Sequence, residues 1–138
     1  MPGDRKTLPQ QLGGLARLEL TTSVSISAGR LTWIGRLQPT PVSVAYVMRI
    51  TYAAGEPAPD VRIISPAIHA PEGDALPHVY PGERLCLCYP GQWNDGKMIS
   101  RTVVPWAAEW LLHYEIWAFT GRWHGGGHES PNPYASET

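Results

Sequence analysis

The chain has 138 residues, which is most simply one domain with a hydrophobic core of its own, needing no disulfide or metal to fold. Eleven basic and twelve acidic residues leave a net charge of −1, and the basic residues stand singly apart from Arg5-Lys6, so no phosphate-tracking stripe forms and nucleic-acid binding is not expected. No stretch is apolar and long enough to span a membrane, the N-terminus lacks a signal-peptide core, and the two cysteines are separated by one residue, which together predict a reducing, cytoplasmic setting with both thiols free.

Thr7-Leu8-Pro9-Gln10 predicts a helix start. Thr7 can cap, Pro9 fits the first turn, and Gln10 stands three residues after the cap. Leu8, Leu12, Leu15 and Ala16 then share a face, while Gly13 and Gly14 each weaken the helix by roughly 1 kcal/mol relative to Ala. From Glu19 the period changes to two. Leu20, Thr22, Val24 and Ile26 alternate with Thr21, Ser23 and Ser25, and Gly29 supplies a turn. Leu31, Trp33, Gly35 and Leu37 continue the alternation until Pro39 and Pro41. Val42, Val44, Tyr46, Met48, Ile50 and Tyr52 form the cleanest alternating run. A turn through Gly55, Pro57 and Pro59 leads to a short strand, Val61 to Ser65. Four consecutive strands joined by short turns predict an antiparallel meander with one covered face.

Residues 66 to 84 carry four prolines and two glycines, which predicts an ordered, proline-pinned loop. Leu85-Cys86-Leu87-Cys88 follows as a short extended piece, and Gly91 to Gly96 turns again. Thr102 is a candidate cap for a second helix, with Pro105 in its first turn. Val103, Ala107, Trp110, Leu111, Tyr114, Trp117 and Ala118 recur at helical spacing, and Gly121 ends the pattern. The expected domain covers residues 1–123, and residues 124–138 form a Gly/Pro-rich C-terminal tail. A helix, a four-stranded meander, a long loop and a helix make an α+β layout in which the helices cover the apolar face of the sheet.

The run from Pro77 to Trp123 holds both cysteines and five of the six tryptophans. Cys86 and Cys88 share one side of an extended chain, with Leu87 facing the core as an anchor. Arg84 supplies a nearby cation, a condition that favours a thiolate. Against that stands cysteine's frequent use as buried filler. Cys86, Cys88, His78 and one of His124 or His128 make a conceivable zinc set. The Cys-x-Cys spacing is tighter than the usual structural pair, however, and two of the histidines lie in the tail, so no metal and no other cofactor is expected. His69 and His78 either brace the loop or polarise a substrate carbonyl. His113 reads as a boundary residue of the helix. Trp110 and Trp117 read as core, and Trp106 and Trp123 as a partner surface or as packing under the loop. No phosphate-binding glycine loop, glycosidase acid pair or serine elbow is present.

From about residue 7 to residue 123 this arrangement resembles the ubiquitin-conjugating enzymes, in particular their divergent bacterial members. The likeness rests on the short helix and meander and on Pro57 and Pro59, where the family has a Tyr-Pro-x-x-Pro turn. It continues through the histidine-started loop at His78, Gly82, the triplet Leu85-Cys86-Leu87, Trp93 shortly after it, and the helix from Thr102. The family's Ile/Val-Cys-Leu triplet carries the catalytic cysteine, which maps onto Cys86. Three features depart from the pattern: His78-Val79-Tyr80 replaces His-Pro-Asn, Cys88 replaces the aspartate that commonly follows Cys-Leu, and the last two helices of the eukaryotic enzymes have no counterpart.

The resemblance implies a cysteine thioester acyl transferase in which Cys86 is the nucleophile and His78, Tyr80 or loop amides stand in for the missing asparagine. Cys88, Trp93, Trp106 and Trp123 would then form the substrate or partner surface. Bacterial members belong to antiphage operons, and a compact, stand-alone form like this one is similar to the conjugating protein of CBASS systems. In those systems the partner would be the C-terminal tail of a cGAS-like nucleotidyltransferase, joined to a target that the sequence does not name. The alternatives are a conjugating enzyme of a bacterial ubiquitin-like operon and a non-catalytic module that uses the same fold to hold a tail or scaffold a complex.

Overall fold

The computed structural model describes residues 5–68, 79–80 and 84–120, with main chain only at 79–80. The elements run α1 (Leu8–Ala16), β1 (Thr21–Ser27), β2 (Arg30–Leu37), β3 (Tyr46–Ala53), β4 (Asp60–Ser65), β5 (Val79–Tyr80), β6 (Arg84–Leu85), a 3-10 turn (Ile99–Arg101) and α2 (Val103–Thr120). Strands β1 to β4 form an antiparallel meander in sequence order, and β5 and β6 pair as a separate two-stranded ribbon. The helix–meander–helix layout is therefore the α+β arrangement that the residue pattern predicts, in the element order that the resemblance implies. The boundary expected at residue 123 and the tail beyond it lie outside the described residues.

Helix α1 starts as its sequence dictates. The Thr7 hydroxyl accepts from the Gln10 amide at 3.2 Å, and the Gln10 side chain accepts from the Thr7 amide at 2.8 Å. This reciprocal box satisfies two donors that a helix start otherwise leaves open. Its inward residues are Gln11 and Leu15, with Leu8 and Leu12 packed at the edge of the core. Ala16 is exposed, because the glutamine at position 11 takes the inward turn that an all-apolar face would have given to a hydrophobe.

In β1 the alternation breaks where a bulge between Thr21 and Ser23 shifts the register. One extra residue reverses which side chains face the core. Thr22 is exposed as a result, and Thr21 turns inward. Its hydroxyl donates to the Leu15 carbonyl at 2.6 Å and accepts from the Trp33 indole at 2.8 Å. Ala28 and Gly29, both at positive φ, close the β1–β2 hairpin with the twist that two-residue hairpins favour. Leu31, Trp33 and Leu37 of β2 are buried. Gly35 completes that face for a steric reason: a Cβ there would overlap the Trp33 ring and stand 3.0 Å from the Leu20 carbonyl.

Strand β3 alternates as predicted from Tyr46 onward, with Tyr46, Met48, Ile50 and Tyr52 buried. Val42 and Val44, expected on the same face, are not in the strand, and Val42 is 95% exposed. Thr40 and Ser43 close a turn after Pro39 through three contacts of 2.8 to 3.1 Å, holding the chain away from the sheet. Glu115 of α2 secures that turn. Its carboxylate accepts from the Ser43 hydroxyl at 2.7 Å and from the Tyr46 hydroxyl at 2.8 Å. Burial and the Glu115 charge push the Tyr46 phenol up from its ordinary range, so it remains a donor.

Helix α2 buries Val103, Val104, Ala107, Trp110, Leu111, Tyr114 and Trp117 against the sheet's covered face. Trp110 and Tyr114 stack with ring centroids 5.6 Å apart. The expected inward set was right except at its end, where Ala118 is exposed. Thr102 stands just before α2, its carbonyl accepting from the Trp106 amide at 2.9 Å, but its side chain is engaged elsewhere. Its hydroxyl donates back to the Met98 carbonyl at 2.7 Å, which leaves its oxygen free to accept from Trp93.

Candidate active site

The cysteine segment leaves β6 at Leu85 and enters irregular structure. Leu85 opposes Val79 and Arg84 opposes Tyr80 in the ribbon, and β6 lies against β4. Leu85, Cys86 and Leu87 are all buried, Cys86 to 1% exposure, while Cys88 is half-buried. The sequence predicts Cys86 outward beside Cys88 with Leu87 inward. Leu87 is inward as expected, but Cys86 is not outward: it is covered on its own side to 1% exposure, which a local alternation cannot foresee. Leu85 and Leu87 enter the core cluster, Cys86 is buried outside it, and Cys88 is the more exposed thiol.

Beyond Cys88 a short turn is fixed by its own polar groups. The Tyr89 amide donates to the Gln92 side chain at 2.9 Å, and the Gln92 amide returns a bond to the Tyr89 carbonyl at 3.0 Å. This brings Trp93 inward. Its ring meets Tyr52 edge-on at 5.2 Å, and its indole N–H donates to the Thr102 hydroxyl at 3.0 Å. A buried indole N–H needs such a partner. Trp93 therefore ties the cysteine segment to the start of α2.

A groove of about 260 Å³ opens along this segment. The turn at Pro57, Ala58 and Pro59 forms one wall, and Tyr89, Pro90 and Gly91 form the other. Leu87, Trp93, Val103 and Trp106 line it between them, and Asp60 and Arg84 contribute charge. Cys88 lines the groove; Cys86, one residue beyond Leu87, is not among the lining residues. Burial is the main influence that pushes the Cys88 thiol above its ordinary range. Charge on Cys86 acts in the same direction, and the Trp93 main-chain amide partly offsets both.

Of the residues singled out from the sequence, the structure brings Cys88, Trp93 and Trp106 to the groove, while Cys86 is buried and does not line it. Tyr80 is placed by its main chain only, paired with Arg84 across the ribbon. His69, His78, Trp123, His124 and His128 lie outside the described residues. Among the described residues no three His, Cys, Asp or Glu side chains group so as to hold a metal ion. His113 sits at the boundary of the core, with its Nε2 3.5 Å from Glu109. Sequence reading missed Thr102 as the acceptor for Trp93 and Ala58, Asp60 and Tyr89 as groove walls. The Pro57–Pro59 turn was the available signal, because it marks where the β3–β4 connection approaches the cysteine segment. No helix is long and apolar enough to cross a membrane among the described residues.

A search of curated proteins found no match. Residues 11–131 match the family model described as Type II CBASS E2 protein, a span that takes in the meander, the cysteine segment and α2. The chain therefore belongs to that family, and is a ubiquitin-conjugating-like enzyme of CBASS antiphage defence.

Proposed function

We propose that Cys86 forms a thioester with the C-terminal carbonyl of a cGAS-like nucleotidyltransferase and passes that acyl group to a target nucleophile, in the cytoplasm. The thiolate attacks the activated carbonyl, the activating group departs from the tetrahedral intermediate, and an incoming amine then displaces the sulfur, losing its proton. The oxyanion needs donors, and His78, Tyr80 and main-chain amides of the loop before Cys86 are the candidates. Residues 1–123 would be the unit that carries this out.

One observation supports Cys86 above all. It lies in the matched Leu-Cys-Leu triplet, and Leu85 and Leu87 on either side are both sunk in the core, so its main chain is held from two sides beside the groove. Fixed placement of a nucleophile is worth several orders of magnitude in rate. Its 1% exposure means that the partner's tail reaches the sulfur only after the segments around it part. In the second reading Cys88 carries the thioester, which its half-exposed place in the groove favours. Its raised thiol range argues the other way, since it keeps the sulfur protonated and weakly nucleophilic at neutral pH.

Co-expression with the nucleotidyltransferase, followed by mass spectrometry under non-reducing conditions, tests both readings. Cys86→Ala should lose the covalent adduct and Cys88→Ala should retain it. A full adduct in Cys86→Ala overturns the first reading, and its loss in Cys88→Ala alone establishes the second.

A further inference from the structure

A second cleft of about 510 Å³ lies between α1 and the segment that carries the 3-10 turn. Lys6, Arg17 and Arg101 all line it, and among the described residues no acidic one does. These cations are 11 and 84 residues apart in sequence, which is why a sequence without a basic run nonetheless folds to concentrate positive charge. Among the described residues none of the three side chains has a hydrogen bond or an ion pair. Asp95, whose main-chain oxygen accepts from the Lys6 amide, has its own carboxylate engaged by Arg5 at 2.9 Å. Like charges around one cleft repel, and an anion seated between them relieves that repulsion.

A second observation is independent of charge. Ser100 is one of only two buried polar residues among those described, at 9% exposure. Its hydroxyl lines the cleft and stands 2.9 Å from the place where a Cβ on Gly14 would be. Gln11, the other buried polar residue, is fully engaged with the Lys97 carbonyl and the Ile99 amide, whereas the Ser100 hydroxyl has no hydrogen-bond partner among the described residues. The Ser100 hydroxyl is open to the cleft, so a group that enters there can take the bond that no neighbouring side chain or main-chain atom supplies. Gly13 presents bare main chain along the same wall, Gly14 is backed by the Met98 and Ser100 side chains, and Leu18 and Met98 add apolar surface. The cleft falls within the size range of small-molecule sites.

We propose that this cleft binds a phosphate-bearing small anion, with Lys6, Arg17 and Arg101 holding the phosphate oxygens and the Ser100 hydroxyl donating to one of them. Free phosphate and a nucleotide share that chemistry. A nucleotide would also lay its base on the Gly13 wall and the Leu18 and Met98 surface.

Amide chemical shifts of the full chain, recorded during titration with sodium phosphate, with ADP and with sodium chloride at matched ionic strength, test the proposal. Phosphate and ADP should shift the Gly13, Gly14, Ser100 and Arg101 amides saturably, and chloride should not. Tighter binding of ADP assigns a nucleotide, and equal binding assigns free phosphate. The Arg17→Ala/Arg101→Ala pair, both exposed side chains, should weaken binding about tenfold or more, as expected for losing two charge-assisted contacts. Ser100→Ala should weaken it severalfold, with circular dichroism reporting an intact fold. Equal shifts from chloride, or an arginine double variant that binds like the parent, overturn the proposal. An octaglutamate peptide that binds more tightly than ADP overturns it too, and makes the cleft a docking patch for an acidic protein.

Discussion

The segment from Trp93 to Thr102 is gripped from two sides, and the two grips differ. On the α1 side Gln11 is fully buried, and its amide group spans the Lys97 carbonyl at 2.9 Å and the Ile99 amide at 2.8 Å. On the cysteine side the Trp93 indole bonds the Thr102 hydroxyl, which bonds the Met98 carbonyl. The first grip joins side chain to main chain, and none of its residues lines the groove. The second joins side chain to side chain, and both of its residues adjoin structure that lines the groove. One segment therefore carries two separable tasks: Gln11 holds it in the fold, and Trp93 with Thr102 holds the cysteine turn against it.

The largest effect should come from breaking the α1 grip. Gln11→Ala leaves the Ile99 amide and the Lys97 carbonyl without their partner, in a site closed to water, and should lower unfolding free energy by about 2–4 kcal/mol. Denaturant unfolding measures it. Adduct formed per folded molecule should be unchanged, and a proportional loss of adduct would mean that the two grips are not separable. Thr102→Val is the matching change on the other side. It leaves the Trp93 N–H buried and unpaired and should cost about 1–3 kcal/mol. Here adduct formation per folded molecule should fall as well, because Trp93 positions the turn next to the cysteines; an unchanged rate would reduce Trp93 to a stability residue. Thr7→Ala removes the cap of α1 and should cost about 1 kcal/mol with no effect on adduct.

These contrasts also mark where sequence reading succeeds. The Thr7 box was legible because both of its partners lie within three residues, and the β3 face was legible because alternation is a local signal. Gln11 was illegible as a core residue, since its partners lie 86 and 88 residues away and no pattern near it demands a glutamine. Val42 and Val44 were misassigned for the same reason, as the turn that excludes them is held by Glu115, 72 residues beyond Ser43. The inversion at Thr21 and Thr22 arose from a bulge that alternation alone does not reveal. At the site, the triplet and the family resemblance located the cysteine segment but misjudged which thiol emerges. Alternation places Leu85 and Leu87 inward, but a local period does not reveal that Cys86 is covered on its own side as well.

The smallest effect concerns the thiol that does emerge, and it bears directly on the choice between the cysteines. Burial raises the Cys88 thiol range in the folded chain, so the folded state holds that proton more firmly than the unfolded state does. The associated stability is fully present below the ordinary thiol value of 9.0 and declines as pH rises above it. Melting temperature should therefore fall more steeply above that pH in the parent than in Cys88→Ala, once the shared loss from other groups is subtracted. The same shift sets reactivity. In the Cys86→Ala background, iodoacetamide at pH 8 should alkylate Cys88 more slowly than a free peptide thiol, although Cys88 lines an open groove, because the thiolate fraction and not access limits the rate. Alkylation as fast as the free peptide would show that Cys88 ionises readily in the folded protein. That outcome would remove the main argument against Cys88 as the thioester-forming residue, leaving the groove-facing sulfur, rather than the buried one, as the better nucleophile.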